Sequence, residues 1–228
     1  MERNRQRKKR GETHLSLAYP LKDIPYVVIT LVIAFTFHEF AHAYVAYKFG
    51  DMTAKNQGRL TLNPIRHLDP IGTILIFIAG FGWARPVPVN RFFFKNPRLA
   101  GVLVSVAGPI SNFVLASLGF IIWYGMVKSG VDISNNLHDF LELFVQLNVV
   151  LFIFNLLPFP PLDGYRIIED LAPNGIRAKM TQYESYGAFI FLILVITPLD
   201  RYTISPLMYG VIPSVLSGLS NFYYGLFF

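Results

Sequence analysis

A chain of 228 residues that is 53% hydrophobic and only 15% charged is unlike a soluble domain, where about a quarter of residues carry charge. It reads as one polytopic membrane unit, with no long polar block left for a second. The absence of cysteine excludes disulfides, thiolate metal sites and thiol nucleophiles. The net charge of +6 is concentrated in the opening MERNRQRKKR, which holds six Lys/Arg. That run is expected to be a solvated tail near lipid headgroups. Nucleic-acid binding needs more than charge, and no small-residue cleavage site marks a secretory signal.

After this basic tail (1–23), residues 24–47, IPYVVITLVIAFTFHEFAHAYVAY, form the first apolar segment. At 1.5 Å per residue it is about 36 Å long, enough to cross a bilayer. Residues 51–70 are polar and turn-rich. IGTILIFIAGFGW (71–83) is apolar but too short for a span, so it is expected to be re-entrant or embedded. In ARPVPVNRFFFKNPR the RPVPVN alternation predicts short extended strands, and its prolines disfavour helix. Residues 99–127 are a second full span, with a small-residue stretch AGPISN that lets helices approach closely. A third span, 140–157, runs into the proline-broken PFPPLDG. YGAFIFLILVIT (186–197) and 204–228 are two further hydrophobic segments.

Within the first span, HEFAH (38–42) fits H-E-x-x-H. On a helix, residues i and i+4 share a face about 6 Å apart along the axis. Two imidazoles so placed can hold one zinc ion with bonds of about 2 Å. Glu39 lies about 100° round from His38, placed to act as general base on a metal-held water rather than as a third ligand. An ionisable group at membrane depth costs about 2.5–3.5 kcal/mol on insertion scales, so three within five residues need a compensating partner. A divalent metal is one. A hydrogen-bonded cluster or a proton relay are others.

Catalytic zinc takes three protein ligands and keeps one open position. The candidates for the third are His14, His67, Asp69, His138, Asp139, Glu142 and Asp163. A solvated loop accounts for His67 and Asp69, and the start of a span for His138 and Asp139. Asp163 differs: it follows a span and sits in NLLPFPPLDG, where prolines break the helix. Irregular backbone at membrane depth is tolerated only where it is buried in protein or lines a wet cavity.

HEFAH on one span and N-x-x-P-x-x-P-x-D-G closing a later one resemble the site-2 protease family of intramembrane zinc metalloproteases. The likeness covers about residues 24–170 and includes AGPISN. It implies that His38, His42 and Asp163 hold Zn2+ and that Glu39 is the catalytic base. Asn155, Pro158, Pro161, Asp163 and Gly164 match the second motif. Asn155, or Asn148 two helical turns earlier, is a candidate for binding the oxyanion or the substrate backbone. GWARPVPVN (82–90) looks like the short β-hairpin that lies between the catalytic spans and is proposed to engage extended substrate. No stretch is long and polar enough for the PDZ or CBS domain of many relatives.

The expected fold is therefore an all-α polytopic membrane protein. It has about five hydrophobic helical segments, one re-entrant or embedded segment and a short β-hairpin. The catalytic membrane core is 24–170, and 171–228 holds C-terminal membrane segments. For one zinc to be shared, the first and third spans must run parallel, with 99–127 the crossing between them. The metal side then carries eleven Lys/Arg against nine opposite. With the resemblance, this places the metal toward the cytoplasm of a prokaryotic plasma membrane. Expected substrates are single-span membrane proteins or remnant signal peptides with helix-breaking residues. A transporter or proton/ion pathway protein is the alternative, since intramembrane His and Glu serve such roles; it predicts inverted repeats, and none are found. A non-proteolytic zinc-binding adaptor is a third reading, which the intact Glu39 argues against.

Overall fold

The computed structural model describes residues 19–79 and 82–228. These form α1 (Ile24–Lys48), α2 (Thr53–Asn56), α3 (Pro70–Ala79), α4 (Pro97–Lys128), α5 (Asn135–Asn155), α6 (Asp163–Leu171), α7 (Asn174–Ile196) and α8 (Ile204–Phe227). The described residues contain no strand, and the fold is all-helical. Of the expected segments, α1, α4 and α5 are long and apolar enough to cross a bilayer. The other two fall short in composition rather than length. The first half of α7, NGIRAKMTQYES, is polar, and α8 is diluted by Ser, Gly, Pro and Asn. Large apolar side chains on the outer faces of α1 (Val28, Ile29, Phe37) and α4 (Val114, Leu118, Ile122) are exposed, as suits helices whose solvent is lipid.

Local chemistry sets the helix ends. Pro25 opens α1 within its first turn, where a missing N–H costs nothing. Beyond its last turn, Gly50 takes the left-handed conformation (φ 103°) that lets the chain leave the helix. Asn96 caps α4 by accepting from the N–H of Leu99 at 3.3 Å. At the end of α5 the run of Pro158, Pro160 and Pro161 forbids helix, and α6 begins only at Asp163.

The central helix is α4, packed against α1, α5, α6 and α8. Its glycines 101, 108 and 119 recur at 7 and 11 residues, whole numbers of turns, so they share one face. Each makes room for a neighbour. A Cβ on Gly119 would lie 2.6 Å from Cγ2 of Val145 on α5, and one on Gly101 would lie 2.2 Å from Oδ2 of Asp170 on α6. Below the glycine face, Ala116 and Phe120 of α4 close a core with Val145, Val149, Ile153 and Tyr223.

Helix α3 spans ten residues, about 15 Å, half a bilayer. The chain returns from it to its starting point: a Cβ on Gly72 would sit 2.2 Å from the Trp83 carbonyl oxygen. Leu68 and Ala84 form an isolated antiparallel bridge, and Arg85 N–H donates to the His67 carbonyl at 2.8 Å. Residues 68–72 and 82–84 thus lie side by side at the start of α3.

The expected β-hairpin at 82–90 is not found among the described residues. Pro86 and Pro88 carry no N–H for a ladder, and the backbone is held by side chains instead. Arg59 donates to the carbonyls of Arg85 (2.6 Å) and Pro86 (3.3 Å). The N–H of Val87 donates to Glu39 Oε2 (2.8 Å) and that of Asn90 to Asp51 Oδ2 (2.6 Å). Arg59, Asp51 and Glu39 are all buried. A segment with neither helix nor strand rests on three buried charged side chains.

Candidate metal centre

Helix α1 presents His38 and His42 one turn apart, their rings edge to face with centroids 4.6 Å apart. Both are buried. The Nδ1 atom of each is engaged: His38 with Oδ1 of Asn112 (2.7 Å) and His42 with the carbonyl of Val104 (2.7 Å). Both partners are acceptors, so both Nδ1 atoms carry the proton and both Nε2 atoms present lone pairs. The orientation of Asn112 follows from its other bonds. Its Nδ2 donates to the Ala34 carbonyl (3.4 Å) and to Oδ1 of Asn148 (3.2 Å), whose own Nδ2 donates to Phe144 O (2.8 Å). Only oxygen is left to face His38.

Asp163, first residue of α6, brings Oδ2 to 3.1 Å from His38 Nε2 and 3.3 Å from His42 Nε2; the two Nε2 atoms are 3.0 Å apart. That oxygen is buried and accepts no hydrogen bond of proper geometry. Three electron-rich atoms thus face one another at contact distance, an arrangement that requires a positive charge between them. A proton serves one pair; a metal ion serves all three. Tetrahedral zinc with bonds of about 2.0–2.1 Å sets its ligands about 3.3 Å apart, so the residues fit a zinc ion.

The room for the two rings comes from α4. A Cβ on Gly108 would lie 2.3 Å from His42 Nε2 and 2.6 Å from His38 Cε1. Room for Asp163 comes from Gly164, where a Cβ would lie 2.2 Å from the Leu156 carbonyl oxygen; α6 therefore starts pressed onto the end of α5. The site opens into a cavity of about 890 Å³ that Glu39, Val87, Asn155 and Pro161 also line.

The remaining candidates go elsewhere. Asn148 is buried between α4 and α5, its amide bonded to Asn112 and to its own helix. Asn155 faces the cavity, with its Nδ2 on the Leu151 carbonyl (3.0 Å). Pro158 is exposed in the break between α5 and α6. His67 Nε2 is on the Thr61 carbonyl (2.7 Å), and Asp69 caps α3 through the N–H of Gly72 (2.8 Å). His138 packs on Trp123 (centroids 4.7 Å), with Asp139 beside it; these two and Glu142 lie in the first turns of α5, away from Asp163. His14 lies outside the described residues. Asn112, Gly108 and Val87 are close to the site and had no assigned role in the sequence reading. AGPISN carried a signal for the first two, read only as small residues that let helices approach.

Comparison with known proteins gives the same chemistry. The model for peptidase family M50 matches residues 124–197, which include Asp163. Several relatives share the name "Putative zinc metalloprotease". YwhC of Bacillus subtilis is 63% identical over 204 residues, covering 88% of this chain and 93% of the relative. Rip2 of Mycolicibacterium smegmatis is 32% identical over 196 residues (80% and 73%), and Rip2 of Mycobacterium tuberculosis H37Rv is 32% identical over 226 residues (92% and 81%). The chain belongs to peptidase family M50, the site-2 protease family. This M50 protease is an integral membrane zinc metalloprotease. No solved structure gave a significant match.

In this protease Asn112 is the partner that fixes the His38 ring. Asn112→Ala is expected to leave the ring free to rotate and to weaken zinc binding by about 10–100-fold. Competition with a chelator of known affinity measures it, and unchanged affinity would remove the role.

Proposed function

We propose that His38, His42 and Asp163 are the zinc ligands and Glu39 the general base of a protease that cuts peptide bonds within or near membrane spans. The observation that carries this reading is the convergence of two Nε2 atoms and one carboxylate oxygen within 3.0–3.3 Å, in a cavity that Glu39 also lines. Bound zinc would supply Lewis acidity, lowering the pKa of water from about 15.7 toward 7. Glu39 takes a proton from the attacking water and passes it to the leaving amine. Its Oε2 is steadied by the Val87 N–H, which leaves Oε1 for the proton. Asn155, on the cavity wall, is the candidate donor to the developing oxyanion.

Segment 84–90 borders the same cavity, which suits a substrate that has unwound from helix. Single-span membrane proteins and remnant signal peptides with helix-breaking residues fit that requirement. The catalytic core is 24–170, the remaining helices flank it, and the Lys/Arg-rich metal side faces the cytoplasm of a prokaryotic plasma membrane. Asp163→Ala is expected to reduce zinc from one per chain to a small fraction, leaving the two-histidine site too weak to hold it through purification. Elemental analysis of the purified variant tests this, and full occupancy with intact cleavage would remove the ligand assignment.

A further inference from the structure

Two carboxylates, Glu169 and Asp170, are fully buried in the last turn of α6. The negative end of the helix dipole opposes them there, and nothing in the metal centre uses them. Arg166 of their own helix lies 3.7 Å from Glu169 Oε2, and the closer partners come from outside it. Arg91 donates through Nη1 to Glu169 Oε2 (2.9 Å) and through Nη2 to Asp170 Oδ2 (2.8 Å). Arg177 of α7 donates to Asp170 Oδ1 (3.0 Å), and the Thr181 hydroxyl donates to Glu169 Oε1. Asp170 also lies directly over Gly101 of α4, where a Cβ would be 2.2 Å from its Oδ2.

Arg91 follows Asn90, whose N–H is pinned to Asp51, and it lines the cavity that contains Asp163. A closed circuit results. Glu39 holds Val87; the segment runs on to Arg91; Arg91 grips the far end of α6; and α6 begins with Asp163. A buried ion network is a poor source of net stability but a good source of fixed geometry. A guanidinium spanning two separate carboxylates fixes orientation as well as distance.

We propose that Arg91 is a positioning residue that, through Glu169 and Asp170, sets the spacing between segment 84–90 and the helix carrying Asp163. It thereby aligns a substrate strand lying on that segment with the metal centre. The inference rests on the functional reading above for its catalytic consequence, and on the ion network alone for its structural one.

The test uses the full chain in detergent micelles, with a single-span membrane protein carrying a helix-breaking residue as the cleavage probe. Arg91→Gln is expected to keep one zinc per chain and to lose about 10–100-fold in kcat, the scale of a misplacement of about 1 Å, with little change in KM. Arg91→Lys keeps the charge but cannot span both carboxylates, and is expected to share the loss. The double variant Arg91→Gln/Asp170→Asn is expected to lose no more than the worse single, since both break one linkage. Wild-type kcat in Arg91→Gln, full rescue by lysine, or simple additivity in the double variant would overturn the proposal.

Hydrogen exchange of peptides covering 84–94 is the readout independent of activity. The amides of Val87 and Asn90 are expected to lose protection in Arg91→Gln, and unchanged protection would also overturn the proposal. If the wild-type chain neither binds zinc nor cleaves the probe, the functional reading fails while exchange still decides the linkage. Should Arg91→Gln not fold, Asp170→Asn is assayed by the same exchange: loss of protection at Val87 and Asn90 is expected, and unchanged protection overturns the proposal.

Discussion

Glu39→Gln is expected to lower kcat by about 10³-fold or more, within the span of general acid–base contributions, while zinc stays at one per chain. The replacement is isosteric. The amide oxygen of glutamine still accepts from the Val87 N–H, which lies 2.8 Å from Glu39 Oε2, so segment 84–90 keeps its anchor. The proposed ligands are undisturbed, because Glu39 lies about 100° round α1 from His38 and makes no bond to either imidazole. What is lost is the ability to take a proton and return it. Single-turnover cleavage of a single-span substrate beside elemental analysis separates the two effects. Cleavage within tenfold of wild type would deny Glu39 the role of base, and loss of zinc would mean that the carboxylate also holds the metal. In cells, accumulation of uncut membrane-protein fragments with Glu39→Gln would identify substrates.

The contrast between Glu39 and its surroundings shows how much of the site can be read from the chain. The spacing of His38 and His42 is local, since one helical turn brings them together whatever the rest of the protein does. Asp163 is 121 positions beyond His42, yet the chain marks it, because prolines before a DG pair make a break that membrane burial would not otherwise tolerate. The residues that orient these groups have no such marks. Asn112 is one polar residue in an apolar span, and only the packing of α4 on α1 turns its oxygen to His38 Nδ1. Asn148 has the same composition signal as Asn155, but the packed helices direct it to Asn112 and leave Asn155 on the cavity wall. Arg91, Glu169 and Asp170 have no motif around them, and only the fold closes them into one network.

The fold itself was legible where it depends on composition and less so where it depends on tertiary partners. Three apolar runs became three helices able to cross a bilayer. The short run after 70 became a helix of ten residues, with Trp83 lying against its first turn at Gly72. The RPVPVN alternation predicted strands, but alternation specifies an extended chain, not its partner, and here Arg59, Asp51 and Glu39 take the place of a second strand. Helix α7 starts twelve residues before the apolar run at 186. Its polar turns carry Arg177 and Thr181 to the carboxylates of α6, a reason for helix that hydropathy does not register.

Gly108→Ala is expected to weaken zinc binding by about 100-fold or more, above the usual range for residues that orient ligands, and to abolish hydrolysis with it. The added methyl would lie 2.3 Å from His42 Nε2, 2.5 Å from its Cε1 and 2.6 Å from His38 Cε1, closer than carbon and nitrogen can approach. Neither ring can swing aside cheaply. Each is tethered at Nδ1, His38 to Asn112 and His42 to the Val104 carbonyl, and rotation would strand a buried donor at about 1–3 kcal/mol. Retreat of α4 would open the packing at Gly101 and Gly119 on the same face, where Asp170 and Val145 fill the space a Cβ would take. The imidazoles must therefore leave the geometry that brings their Nε2 atoms to 3.0 Å. Gly125→Ala on the same helix is the control: its Cβ would meet Phe227 at an ordinary 3.6 Å, and the gain in helix propensity is about 1 kcal/mol. Zinc affinity by chelator competition and thermal melting of both variants decide the matter. Wild-type zinc affinity in Gly108→Ala would show that the rings do not sit where the glycine leaves room for them.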